Sequence, residues 1–470
     1  MSYWSKNPEW EAVEFIDDEK IAALLKNGEQ ANDEQVEAII EKSLLAKGLT
    51  IEEVAALIQN QNDELTAKMF LAAGAIKKRI YGKRVVLFAP LYISDHCIND
   101  CAYCGYCVRN KFNRRKLTMA EIVSEVKVLE SMGHKRLAVE AGEHPELCPV
   151  EYVIEALKTI YSVKMDQGAI RRCNVNIAAT TVEDYLKLKE AGIGTYILFQ
   201  ETYHRASYAK YHRAGPKSDY DWHTTAHHRA MQAGIDDVGF GALFGLYDWR
   251  YEVLGLFLHA ADMERRFGVG PHTISVPRIK KAFGAENAEY PYAVSDDDFM
   301  KLTAIIRLAV PYTGIILSTR ESSQMRHNLL QYGVSQVSAG SCAAVGGYST
   351  TDGSDTKQFS VEDLRSPDEV LGDLLENGWL PSFCTACYRK GRTGDRFMQL
   401  AKTGEIQNVC QPNAILTLKE YLNDYASAEL KVIGEAAIQK HLAEIGAPEV
   451  RTAVEEELRK IDSGVRDLYF

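Results

Sequence analysis

The stretch RVVLFAPLYISDHCINDCAYCGYC, residues 84–107, decides how the rest of the chain is read. Its first part, Arg84 to Ser94, is β-branched and apolar, as a buried strand requires. Its last part holds Cys97, Cys101, Cys104 and Cys107. An even scatter of the chain's ten cysteines would leave ~0.2 in such a window, so the clustering needs a chemical reason. Working outward, seven further short runs follow: Arg136 to Glu140, Asn174 to Ala179, Gly194 to Gln200, Asp237 to Gly241, His272 to Arg278, Gly314 to Thr319 and Gln336 to Ala339. Amphipathic segments separate them, among them Met119 to Met132, Asp221 to Ala233 and Tyr251 to Phe267. Eight strand–helix units of about 32 residues each predict a complete (β/α)8 barrel of the TIM type. Periodicity leaves a doubly wound open sheet as the competitor.

The alternation also divides the chain. Residues 1–82 read as an N-terminal layer of helices, residues 83–345 as the barrel, and residues 346–470 as a mainly helical C-terminal domain. A glycine-rich polar segment from Gly340 to Lys357 separates the last two, and the tail from Glu420 to Leu458 reads as helical. At 46% apolar and 25% charged residues, the 470-residue chain has the composition of a soluble globular protein. Its net charge of −11 argues against nucleic acid or anionic lipid as partners. No apolar stretch approaches the ~18 residues of a membrane helix, and Met1 to Lys6 lacks a signal pattern, so a reducing cytoplasm is expected.

In that compartment, dense cysteines are more often metal ligands than disulfides. Cys97, Cys101 and Cys104 form C-x3-C-x2-C in the loop after the first strand, where a barrel carries its reactive face. Three thiolates leave one iron of a 4Fe-4S cluster free to chelate a substrate, and the amino and carboxylate groups of S-adenosylmethionine suit that place. The alternatives are a structural zinc with Cys107 as fourth ligand, or a ferredoxin-like electron carrier. A second triad, Cys384, Cys387 and Cys410, again lacks a fourth ligand, and the nearest histidines in sequence are the remote His327 and His441.

The first triad resembles that of the radical S-adenosylmethionine enzymes. In that resemblance Tyr103 takes the aromatic position against adenine. Ala141-Gly142-Glu143 is similar to the element that receives the methionyl ammonium, with Ala141 in place of a glycine. Asn174, Asn176, Glu201 and His204 fall where relatives contact ribose and methionine. The second triad, its flanks from Pro381 to Gly394, the stretch Gly268 to Arg278 and the terminal Asp467 to Phe470 resemble the family of tyrosine lyases that mature iron-only hydrogenases. Cys107 is a departure from the family pattern.

The resemblance implies a carbon–carbon lyase with two iron–sulfur sites. The first site reduces S-adenosylmethionine to a radical that cleaves the Cα–Cβ bond of L-tyrosine, giving p-cresol and dehydroglycine. The Cys384, Cys387 and Cys410 site carries a second 4Fe-4S-type cluster with an extra iron, held by His272, where carbon monoxide and cyanide form. The product is an iron carbonyl–cyanide unit for the hydrogenase. Tyr92, Arg320 and Ser338 look like the amino-acid-binding positions, and Arg320 suits a bidentate carboxylate clamp. A low-potential electron donor and other hydrogenase maturation proteins are the implied partners. His272 opens the sixth strand, which on a barrel places it at the face opposite the first triad. Small residues such as Gly239 and Gly241 suggest a channel between the faces. The rival readings are a thiazole-pathway tyrosine lyase, which lacks the C-terminal triad, and an iron–sulfur scaffold or electron carrier.

Overall fold

The structure, a computed structural model, describes residues 13–285, 288–350 and 357–470. The start of the expected helical layer, residues 1–12, lies outside the described residues. Four helices follow, Asp18–Gly28, Asp33–Ser43, Ile51–Gln59 and Asp63–Tyr81. Each begins at a side chain that accepts a backbone N–H, namely Asp17, Asn32, Thr50 and Asn62, so these boundaries are set locally. The fourth ends at Gly82, whose φ of +62° a residue with a Cβ adopts only with strain.

All eight expected strands form: β1 (Arg84–Ser94), β2 (Arg136–Ala141), β3 (Arg172–Asn176), β4 (Tyr196–Ile197), β5 (Val238–Gly241), β6 (Thr273–Ser275), β7 (Gly314–Leu317) and β8 (Gln336–Ser338). They pair in parallel in sequence order, and β1 pairs with both β8 and β2, which closes the ring and excludes the open sheet. A ninth strand, β9 (Leu380–Ser382), was not expected; it extends the lower end of β1 through Arg84 and Leu380. Pro381 disguises it, since a proline fits a sheet edge but weakens any strand reading.

One helical reading needs correction, and the helical tail is refined. The segment Asp221 to Ala233 is split into Tyr220–Thr224 and Ala226–Gln232. At the break, the Thr225 hydroxyl donates to the Asp221 carbonyl at 2.6 Å. The tail is three helices, Gln407–Asp424, Ala428–Ala443 and Pro448–Asp462, preceded by Pro367–Glu376 and Gly394–Thr403. These helices cover the lower end of the barrel. One continuous set of buried apolar side chains runs from Leu57 and Ile76 through Leu87 and Phe240 to Phe383 and Leu416. Arg171 of the barrel reaches Glu420 at 2.8 Å and Asp467 at 3.0 Å.

The core also buries histidines. Burial pushes His134 down to about 4 and His227 down to about 3. Both folded values lie below the unfolded ~6.5, so as pH falls the unfolded chain takes up protons first and stability is lost below that value. His134 alone predicts a loss of about 2 kcal/mol between pH 7.5 and 5. Urea unfolding of His134→Phe, which keeps a ring against Phe383, should show a shallower pH dependence than the parent.

Candidate active site

The loop after β1 wraps Cys97, Cys101 and Cys104 around the upper mouth of the barrel. Arg114 fixes that loop by donating to the carbonyls of Asp95 at 2.6 Å, Tyr106 at 3.0 Å and Cys107 at 2.7 Å. Below the three thiols a cavity of about 890 Å³ opens between the β-strand ends, with Gly142, Glu143, Glu201 and Lys217 in its wall. A second cavity of about 730 Å³ continues it into the barrel, sharing Glu140, Asn176, Phe199, Arg320, Gln358 and Phe359 with the first. Tyr92 and Ser338 line this inner part.

The polar groups here are held by one another. Asn99 donates to Glu143 Oε2 at 2.6 Å and accepts from the Lys217 N–H at 2.9 Å, so one amide joins the cysteine loop to two walls. Lys217 Nζ lies 2.7 Å from Glu201 Oε1, and Glu201 has a φ of +68°, unusual outside glycine. Tyr103 OH meets His212 Nε2 at 2.8 Å. Gly142 donates to the Ser94 carbonyl at 2.8 Å, and a Cβ there would stand 2.4 Å from the His96 carbonyl. Only glycine fits that approach. Burial pushes the Glu143 carboxyl up to about 7, against the Asn99 hydrogen bond and the Lys217 charge. Burial likewise pushes Glu140 up to about 8, although Arg320 and Asn176 oppose it.

The lower end of the barrel holds the second triad. Cys384, Cys387 and Cys410 line a cavity of about 550 Å³ together with His272, Arg84 and Arg136. Thus β1 lines the lower cavity with Arg84 and Val86 and the upper one from Phe88 to Tyr92, with ~26 Å between Arg84 and Tyr92. His272 Nδ1 stands 3.4 Å from Asp237 Oδ1 without forming a hydrogen bond. Arg136 donates to the Cys384 carbonyl at 3.0 Å. A hydrogen bond from Cys410, then the Arg392 and Arg84 charges, hold the Cys387 thiol below its ordinary value despite burial. His272 Nδ1, Asp237 Oδ2, Arg84 Nε, Arg136 Nε and Thr385 Oγ1 are buried without a hydrogen-bond partner, as expected where a charged group belongs.

Among the described residues, no three His, Cys, Asp or Glu side chains converge as one metal ion requires. Cys107 takes no part in the triad, since its thiol donates to Asp100 Oδ1 at 3.2 Å. Asp100 is in turn fixed by Arg213 at 2.6 Å.

Eight of the expected upper-site residues besides the cysteines meet there: Tyr92, Tyr103, Gly142, Glu143, Asn176, Glu201, Arg320 and Ser338. Asn174 and His204 do not. Asn174 accepts the Thr195 N–H at 3.0 Å and so belongs to the β3–β4 backbone pairing. His204 caps the helix Arg205–Tyr211, absent from the sequence reading, and stacks 3.7 Å from Tyr247. Sequence reasoning missed Asn99, Glu140, Lys217 and the pair Gln358 and Phe359. A carboxylate inside the run Leu137 to Ala141 was the available signal for Glu140. Gln358 covers the mouth, accepting from Tyr92 OH at 3.0 Å and the Gly105 N–H at 3.1 Å. Nor do Gly239 and Gly241 leave an open channel, because Thr273 and Ile197 lean over the first and Phe199 over the second.

Residues 91–254 match the radical SAM superfamily, and residues 275–380 match the biotin and thiamin synthesis associated domain. A crystal structure of HydG, a maturase of the FeFe-hydrogenase, superposes with a TM-score of 0.95 at 55% identity, covering 97% of this chain and all of the other. The chain belongs to the HydG family. HydG from Carboxydothermus hydrogenoformans superposes with a TM-score of 0.82 at 39% identity, over 94% of this chain and 97% of that one. The 2-iminoacetate synthase of Salmonella typhimurium is 30% identical, over 79% of this chain and 94% of its own length. As a HydG-type radical SAM enzyme, the chain has S-adenosylmethionine and a 4Fe-4S cluster as cofactors, and the open thiol triad over Gly142, Glu143 and Glu201 suits them. No helix among the described residues is long and apolar enough to cross a membrane.

Because Asp100 already takes the Cys107 thiol, Cys107→Ala should keep the iron and sulfide content of the upper cluster, whereas Cys101→Ala should lose it. Iron and sulfide analysis with EPR of the reduced protein checks both.

Proposed function

We propose that this enzyme cleaves L-tyrosine at the upper site and builds an iron carbonyl–cyanide unit at the lower one, for assembly of the iron-only hydrogenase active site. The observation that carries this reading is the second thiol triad with His272 and its unpartnered polar neighbours, at the opposite end of the same barrel. A 2-iminoacetate synthase needs only the upper chemistry. The lower triad therefore favours the two-site reading over the thiazole-pathway one, and the upper cavities have no purpose in a simple electron carrier.

When bound, the upper cluster and S-adenosylmethionine supply the hydrogen-abstracting radical. The chain's own residues do the rest. Asn99 holds Glu143 where an ammonium group would be received, and Lys217 holds Glu201. Arg320, whose guanidinium lies 3.4 Å from the Phe359 ring centre, is the clamp for the tyrosine carboxylate, with Tyr92 and Ser338 beside it. Near neutral pH the Glu140 carboxyl is protonated, so it does not compete with a substrate carboxylate for Arg320. Gln358 and Phe359 cover the cavity and shield the reaction from water. At the lower site, Cys384, Cys387 and Cys410 would hold a second cluster, and His272, with Asp237 beside it, would hold its extra iron. A low-potential electron donor and other maturation proteins in a reducing cytoplasm complete the reading.

Anaerobic incubation with S-adenosylmethionine, reductant and tyrosine tests it. Cys104→Ala should make no p-cresol. Cys387→Ala should keep p-cresol and lose carbon monoxide; equal carbon monoxide from Cys387→Ala and the parent defeats the division of labour. Glu140→Gln, which imitates the protonated carboxyl, should cost less than about tenfold in p-cresol rate at pH 7, since it preserves a neutral hydrogen-bonding group beside Arg320.

A further inference from the structure

Beside the lower site lies a cavity that neither cluster nor substrate accounts for. It is a solvent-open space of about 840 Å³ where three helix ends meet: the end of Asp63–Tyr81, the first turns of Gln407–Asp424 and the end of Ala428–Ala443. Its walls are tied by side chains to backbone. Gln407 donates to the Lys78 carbonyl at 3.1 Å, and Gln411 to the His441 carbonyl at 3.0 Å. Between those glutamines in sequence, Cys410 lines the lower site, so one helix forms the wall between the two spaces.

Tyr81 and Arg84 line both cavities. Arg84 faces the charges of Cys410, Cys384 and Cys387, and its Nε has no hydrogen-bond partner. The outer space is cationic in a chain of net charge −11: Lys78, Lys83 and Arg84 stand against one carboxylate, Glu444. Glu444 is already engaged by Lys83 at 3.0 Å and His441 at 3.0 Å. By contrast, the inner part of the upper site and the lower site share no lining residue. The described connection from the lower thiols therefore runs outward past Arg84.

We propose that this cavity is the door of the lower site, a passage for small anions with Tyr81 and Arg84 as its inner gate. A metal–cyanide complex is anionic, and a cationic funnel concentrates and guides such a species. The identity of that cargo rests on the function proposed above; the passage itself rests on the two cavities and their charges.

The test uses the reconstituted holoenzyme and two iron chelators of like shape, neutral 2,2′-bipyridine and its anionic 4,4′-dicarboxylate. Iron removal from the lower site is followed by colour and by the lower cluster's EPR signal. In Lys78→Glu/Lys83→Glu the dicarboxylate should remove iron more slowly by about tenfold, while bipyridine should act at the parent rate. Lys78→Glu alone, at an exposed position, should give a smaller change in the same direction, and high salt should shrink both. During turnover the double variant should form p-cresol normally but retain iron carbonyl bands in the infrared that the parent loses to the ultrafiltrate. Unchanged removal by the dicarboxylate, or equal slowing of both chelators, overturns the proposal. The chelation assay needs no turnover, so it decides the passage even if the parent makes no carbon monoxide, a result that instead overturns the function proposed above.

Discussion

The closing of the barrel through β1 is the constraint on which the rest depends. This strand pairs with three neighbours along its length: Arg84 to Val86 with β9, Val86 to Phe88 with β8, and Ala89 to Ser94 with β2. A parallel ring has two unlike ends, because every strand enters at one face and leaves at the other. One long strand that spans the ring and projects below it therefore fixes both reactive places at once. Its upper end delivers the cysteine loop, and its lower end receives β9, from which the chain runs directly into Cys384. The separation of the two triads follows from backbone pairing rather than from any contact between them.

The two ends differ in how they treat charge. At the upper site, burial raises all three thiols, Cys104 to about 12, and Lys217 opposes it for each of them. At the lower site, Arg84, Arg136 and Arg392 surround the triad, and Cys387 titrates low. Thiolates are the form that binds iron, and at the lower site burial raises Cys384 while the hydrogen bond that lowers Cys387 raises Cys410, so in both triads the metal itself must displace protons. A polar, arginine-rich lower pocket also suits a group with anionic ligands, and the upper space, lined by Gln358 and Phe359 at its mouth, suits chemistry that water would quench.

Much of this was legible in the sequence. The β-branched runs are interrupted by helical periodicity at nearly constant spacing, and burial of both strand faces leaves little freedom in such a pattern. The triads were legible because short cysteine spacings encode a ligand loop directly. What escaped were residues whose role comes from tertiary placement. Nothing in the local sequence of Lys217 or Gln358 announces that each reaches a cysteine loop more than a hundred positions away. Asn174 and His204 lie outside the described cavities for a related reason: Asn174 shares a strand face with Asn176 but stands ~7 Å further down the barrel, and His204 lies three residues beyond Glu201 at a helix cap. Cys107 looked like a candidate fourth ligand because spacing cannot show that Asp100 lies within its reach.

The space between the sites is as informative as the sites. On β1 the side chain of Val86 lines the lower cavity and that of Phe88 the upper, and on β7 the same holds for Gly314 and Ile316. Residues two apart in a strand are ~7 Å apart, so the partition is about one layer of side chains thick. That layer includes Gly239 and Thr273, and the Thr273 hydroxyl is buried without a partner. A close-packed interior resists large passages yet allows rotamer hops. On the function proposed above, dehydroglycine, with five heavy atoms, is the species that crosses such a layer, which requires Thr273, Ile316 and their neighbours to shift, while a nucleoside or an aromatic amino acid stays above it. The small residues of the barrel thus set the thickness and compliance of a partition, which keeps the radical at one end and the iron at the other.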